Sequence, residues 1–216
     1  MSRAVDGLLA DPRLGPSADG SRYLATGHSF GGITTLSLAG AIFDFDYGLE
    51  HCATADDSPA GCAFFDDTVL GDPALAQPDP RVVAGVDISP AGWYAFGESG
   101  LDDMVPLMVI GGTRDEDLSY DEEARPTMEA LPAPKILVSL VDAGHWGVTD
   151  ICLILAFLPD CEGADAGWME PERAQFVIQS MVTAFAARHL LDDDSYDTWL
   201  TPEQWPGDDV VIEVTP

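Results

Sequence analysis

The chain has 216 residues, 46% of them hydrophobic and 22% charged, the make-up of one ordinary globular domain and not of a disordered chain. Nine Lys and Arg stand against 38 Asp and Glu, a net charge of −29 that repels phosphate backbones, so nucleic acid is not an expected partner. No apolar run reaches the ~20 residues of a bilayer span, and none is expected to cross a membrane.

Ala4, Val5, Leu8 and Leu9 fall at helical spacing within residues 3–10, and Asp11-Pro12 ends that pattern. Residues 22–26 form a short apolar run leading into G-H-S-F-G-G, after which residues 33–41 are again helical in pattern. Residues 44–80 carry many carboxylates and little periodicity, and read as a surface excursion over one end of a sheet. D-F-D at 44–46 lacks the order of a calcium loop, so no metal site is expected there. Residues 82–88, 106–110 and 135–141 resemble buried parallel strands, each followed by Gly, Pro or Asp. Between the last two, residues 120–131 read as a helix disturbed at Pro126.

Residues 148–158 are apolar nearly all round and read as a buried helix. Residues 172–191 form the long final helix, with Pro171 suited to its first turn and Phe176, Met181 and Phe185 near one face. An acidic tail over 192–216 follows, with Tyr196, Trp199 and Trp205 as its anchors. The alternation predicts an α/β domain over residues 1–191, with flanking helices on a mostly parallel sheet of about four strands.

Cys52 with Cys62 and Cys152 with Cys161 are close in sequence, each pair bracketing a loop rich in Gly, Pro and Asp. Two local disulfides are the natural reading, and imply a secreted or periplasmic protein. The spacings do not suit zinc, no histidine cluster accompanies them, and no metal or other cofactor is expected.

Gly27-His28-Ser29-Phe30-Gly31 matches the G-x-S-x-G nucleophile elbow, a sharp strand-to-helix turn that lifts a hydroxyl above the sheet. Side chains at Gly27 or Gly31 are expected to collide with the adjoining strand or helix. A serine needs a base. Of the four histidines, His28 is expected to point away along the turn, His51 adjoins Cys52, and His189 sits in the last helix as a cap or surface residue. His145, in D-A-G-H-W-G directly after the last parallel strand, is the expected base. Asp115, in I-G-G-T-R-D-E-D after the preceding strand, is the expected acid that orients it, giving the chain order nucleophile, acid, base. Asp87, in G-V-D-I-S-P, is the alternative acid, while Glu116 and Asp117 read as solvated charges. The Phe30 N–H is the expected oxyanion donor.

From G-H-S-F-G-G through V-V-A-G-V-D-I-S-P, P-L-M-V-I-G-G-T-R-D and A-G-H-W-G-V-T-D-I-C, residues 3–190 resemble the dienelactone-hydrolase-like and platelet-activating-factor-acetylhydrolase-like branch of the α/β-hydrolases, which includes polyester hydrolases. The resemblance implies a serine esterase acting through an acyl-enzyme on small-molecule, lipid-like or polymeric (polyester) esters. It also implies an acyl cleft lined by a tryptophan, for which Trp93 is the nearest match, with Trp146 at the same mouth.

Members of that superfamily carry several strands ahead of the nucleophile, whereas 28 residues precede Ser29 here. The expected fold is therefore an α/β-hydrolase truncated at its N terminus, lacking one oxyanion loop and leaving the elbow strand with an open edge. A homodimer through that edge, an upstream segment, or the tail's V-V-I-E-V run would each satisfy it. A catalytically weak or inactive scaffold serving as a binding or assembly module is the alternative function.

Overall fold

The computed structural model describes residues 2–54, 62, 78–97 and 99–216. Its centre is a five-stranded sheet in the order β1 (Tyr23–His28), β2 (Val82–Ile88), β3 (Leu107–Gly112), β4 (Lys135–Leu140), β5 (Val210–Thr215). The first four strands run parallel and β5 is antiparallel to β4. Helices α1 (Ser2–Ala10), α2 (Gly31–Leu38), α3 (Phe45–Thr54), α4 (Arg125–Ala130) and α5 (Pro171–Leu191) flank it.

β3 shows why the sequence makes such a sheet. All six of its residues are buried, as a strand covered on both faces requires, and its side chains alternate between two cores. Met108 and Ile110 join Val86, Val138 and the α5 residues Val177, Met181 and Phe185 on one side. Leu107 and Val109 join Leu36 of α2 and Met128 of α4 on the other.

Four expectations need correction. The sheet has five strands, not four: V-V-I-E-V becomes β5, at the edge beyond β4 and not over β1. Among the described residues β1 pairs on one side only, with β2. The tail docks where it does because its apolar groups have a site there: Leu200, Trp205, Val210 and Ile212 enter the α5-side core, and Arg125 and Arg173 pair with Glu213 and Asp209 at 2.6 and 2.7 Å.

Residues 148–158 are not a buried helix. They hold a short 3-10 turn, Asp150–Leu153, inside a loop closed by the Cys152–Cys161 disulfide, with Leu153, Ile154 and Phe157 largely exposed. The disulfide closes residues 152–161 into a loop, with the two Cα atoms 5.3 Å apart. Nor is the start of the 44–80 segment irregular, since α3 spans its first part; of the remainder, residues 55–61 and 63–77 lie outside the described residues. The Cys52–Cys62 bridge joins α3 to the buried Cys62.

The helix over 120–131 is split into a π-helical turn, Tyr120–Ala124, and α4. Pro126 has no N–H for the Glu122 carbonyl four residues back, and that carbonyl accepts from the indole of Trp93 instead, at 3.1 Å. Among the described residues no helix is long and apolar enough to cross a membrane.

Candidate active site

β1 ends at His28, and Ser29 sits at φ 60°, left-handed backbone that a non-glycine residue adopts only where surroundings enforce it. Here its N–H donates to the Ile88 carbonyl at 3.0 Å and its carbonyl accepts from Gly32 N–H at 2.8 Å. The chain must double back so tightly that a Cβ on Gly27 would come 2.1 Å from the Gly31 carbonyl oxygen. Gly31, by contrast, has open space where its side chain would go, so the second steric requirement belongs to Gly32, whose Cβ would meet Asp87 Oδ1 at 2.2 Å. Gly27 and Gly32 therefore let strand, turn and helix close on one another.

The loops after β3 and β4 are held against each other at the same end of the sheet. Arg114 N–H donates to the Ala143 carbonyl at 3.0 Å, and Asp142 N–H donates to the Thr113 hydroxyl at 3.0 Å. This tie brings Asp115 and His145 together: His145 Nδ1 lies 2.8 Å from Asp115 Oδ2. Asp115 Oδ1 accepts from the N–H groups of Asp117 and Leu118 at 3.0 and 2.7 Å, so its carboxylate accepts three hydrogen bonds while buried. With Nδ1–H facing a carboxylate, Nε2 presents its lone pair. It lies 3.0 Å from Ser29 Oγ.

Asp87 does not join this chain. It is fully buried in β2, neither carboxylate oxygen has a hydrogen-bond partner among the described residues, and burial followed by the nearby Glu123 charge pushes its carboxyl well above the usual range. Glu123 itself, also buried, accepts from Gly92 N–H at 2.8 Å. Desolvation raises it to about 7. Glu116 and Asp117 are exposed.

His28 is the residue the sequence misplaces. Its Nε2–H donates to the His145 carbonyl at 2.9 Å and its ring lies 4.6 Å from the His145 ring. Desolvation, then the neighbouring His145, lowers its pKa and favours the neutral ring. Asp160 was not singled out either. It is buried, and its Oδ2 accepts from Trp146 and Gly147 N–H at 2.6 and 3.0 Å, fixing the segment just after His145. The Trp146 ring stands edge-on to His145 at 4.9 Å. Trp93 instead packs among His51, Tyr47 and Tyr94. His189 is half-buried against Phe185 at the far end of α5.

Phe30 follows Ser29 at the N-terminal end of α2, where backbone N–H groups and the helix dipole suit a developing negative charge. A cavity of about 230 Å³ opens beside His145, lined by Arg114, Trp146, Leu158, Pro159 and Trp168. The Arg114 guanidinium stacks 3.7 Å over Trp168. No family model matches the chain, and no curated protein matches it.

Proposed function

We propose that the protein is a serine esterase on an α/β-hydrolase scaffold, cleaving carboxylic esters through an acyl-enzyme. The observation that carries this reading is the unbroken line from Ser29 Oγ to His145 Nε2 and from His145 Nδ1 to Asp115, at 3.0 and 2.8 Å.

In that reading Ser29 Oγ attacks the ester carbonyl carbon as its proton passes to His145 Nε2. Asp115 keeps the imidazole in the required tautomer and stabilises the imidazolium. The carbonyl oxygen becomes an oxyanion beside Phe30 N–H. His145 then returns the proton to the departing alkoxide, leaving acyl-Ser29 and a free alcohol. Water, deprotonated by the same nitrogen, releases the acid and restores the serine. The two disulfides support a secreted or periplasmic setting.

Hydrolysis of dissolved p-nitrophenyl butyrate tests the reading. The wild type should turn it over and Ser29→Ala should lose on the order of 10⁶ in kcat. A folded wild type without turnover favours the inactive scaffold, and a Ser29→Ala variant that keeps its rate refutes Ser29 as nucleophile.

A further inference from the structure

The two peptide units that follow His145 have every polar group held. The His145 carbonyl accepts from His28 Nε2–H at 2.9 Å, and the Trp146 carbonyl accepts from the Thr149 hydroxyl at 2.8 Å. Both N–H groups, those of Trp146 and Gly147, donate to one oxygen, Asp160 Oδ2, at 2.6 and 3.0 Å. The peptide that leaves the base is therefore gripped at its carbonyl end by His28 and at its N–H end by Asp160.

Asp160 is itself fixed. It sits in the 3-10 turn Pro159–Cys161, between a proline, whose ring sets φ, and a cysteine bonded to Cys152. At 6% exposure it leaves little room for water to compete for the two N–H groups. The backbone on either side of His145 comes close to it: a Cβ on Gly144 would run into the Asp160 side chain, and one on Gly147 would lie 2.9 Å from the Asp160 carbonyl oxygen. The two glycines of G-H-W-G thus make room for one carboxylate.

Turning that peptide turns ψ of His145, and with it the direction of the imidazole. Ring nitrogens 3.0 and 2.8 Å from Ser29 Oγ and Asp115 Oδ2 tolerate little of this, since a misplacement of about 1 Å costs on the order of 10² in rate.

We propose that Asp160 is a positioning residue for the base: by holding the Trp146 and Gly147 N–H groups it sets the peptide that aims His145 at Ser29. It acts through His145 and not on the ester. This role rests on the esterase reading and adds to it a carboxylate outside the line from Ser29 through His145 to Asp115.

The test compares Asp160→Asn and Asp160→Ala, each alone and with His28→Phe, on p-nitrophenyl butyrate. An amide oxygen can accept both N–H groups, so Asp160→Asn should keep kcat within about threefold. Asp160→Ala leaves both without that acceptor and should lose about tenfold to a hundredfold in kcat, with KM within about twofold. Because His28 and Asp160 hold one peptide, Asp160→Ala combined with His28→Phe should lose less than the product of the two single losses.

An unchanged kcat in Asp160→Ala overturns the role. A rise in KM alone does so too, making Asp160 a wall of the cavity that it also lines. So do equal losses in the Asn and Ala variants, or losses that multiply in the double variant. If Asp160→Ala does not fold, Gly144→Ala carries the test, since its methyl would press on the Asp160 side chain: a lower kcat at unchanged KM supports the role and an unchanged kcat overturns it.

The aim of the imidazole is also read without turnover, by NMR of the low-field proton between His145 Nδ1 and Asp115 Oδ2, assigned by its absence in His145→Ala. It should persist in Asp160→Asn and broaden or vanish in Asp160→Ala; a resonance unchanged in Asp160→Ala overturns the role. A wild type that cleaves no ester while this proton responds to Asp160 overturns the esterase reading and supports the positioning, so the two failures are told apart.

Discussion

Asp115 and Asp87 stand at the same end of neighbouring strands, 7% and 0% exposed, and their surroundings treat them in opposite ways. Asp115 accepts three hydrogen bonds, one from His145 and two from its own turn. Asp87 accepts none among the described residues, and the nearby Glu123 charge opposes its ionisation. Burial alone therefore does not decide what a carboxyl can do. N–H groups aimed at it stabilise the anion; without them the desolvation cost favours the neutral acid. One strand end meets its buried carboxyl with an imidazole and two N–H groups; the other leaves its carboxyl without a donor among the described residues.

The largest expected effect comes from erasing the charge on the first side. Asp115→Asn keeps the shape but removes the anion opposite His145, and kcat on p-nitrophenyl butyrate should fall by roughly 10³ to 10⁴. A loss under about tenfold would mean that the two carboxyls do not differ in function as they differ in environment.

Next comes His28, which holds His145 from its other side. His28→Phe retains an aromatic ring and deletes the donor to the His145 carbonyl, so kcat/KM should drop by about tenfold, the worth of one hydrogen bond. His28→Gln, which retains an N–H donor, should recover part of that loss. Two variants of equal activity would show that packing, not the hydrogen bond, matters there.

The second side is tested by pH. Glu123 lies at about 7 against an ordinary 4.5 because burial disfavours its anion. The folded state therefore binds the proton more tightly than the unfolded chain. The resulting stability is fully present below the ordinary value and is lost as pH rises through about 7. The difference corresponds to at most about 3 kcal/mol. Glu123→Gln cannot ionise, so its Tm relative to wild type should climb by several degrees between pH 4 and pH 8. A difference that stays level across that range would show that Glu123 does not titrate there.

Smallest is Asp87→Asn. A neutral amide in place of a neutral acid should leave turnover of p-nitrophenyl butyrate within about twofold. A loss matching that of Asp115→Asn would restore Asp87 as a partner of the base.

The meeting of Ser29, His145 and Asp115 was legible in the sequence because each stands in a local pattern. A tight turn demands glycine, and strand ends are marked by the residues that stop strands. What lay beyond reach depends on distant contacts. An apolar run such as residues 148–158 has the same composition whether it is buried or displayed, and here the loop closed between Cys152 and Cys161 displays it. V-V-I-E-V looks like a strand, but nothing in it says which edge it joins; Arg125, Arg173 and the core around Trp205 do. In Y-D-E-E-A nothing separates Glu122 from Glu123, although Glu123 alone is buried. His28 differs again: the motif names it, but its partner is a backbone carbonyl 117 residues away.

The central claim is that Ser29 is a nucleophile activated by His145. Treating the folded protein with a fluorophosphonate and locating the adduct by peptide mass spectrometry addresses it directly. The account predicts a single phosphonylated serine, Ser29, with labelling lost in His145→Ala. Absence of an adduct at Ser29, or undiminished labelling without the imidazole, would contradict it.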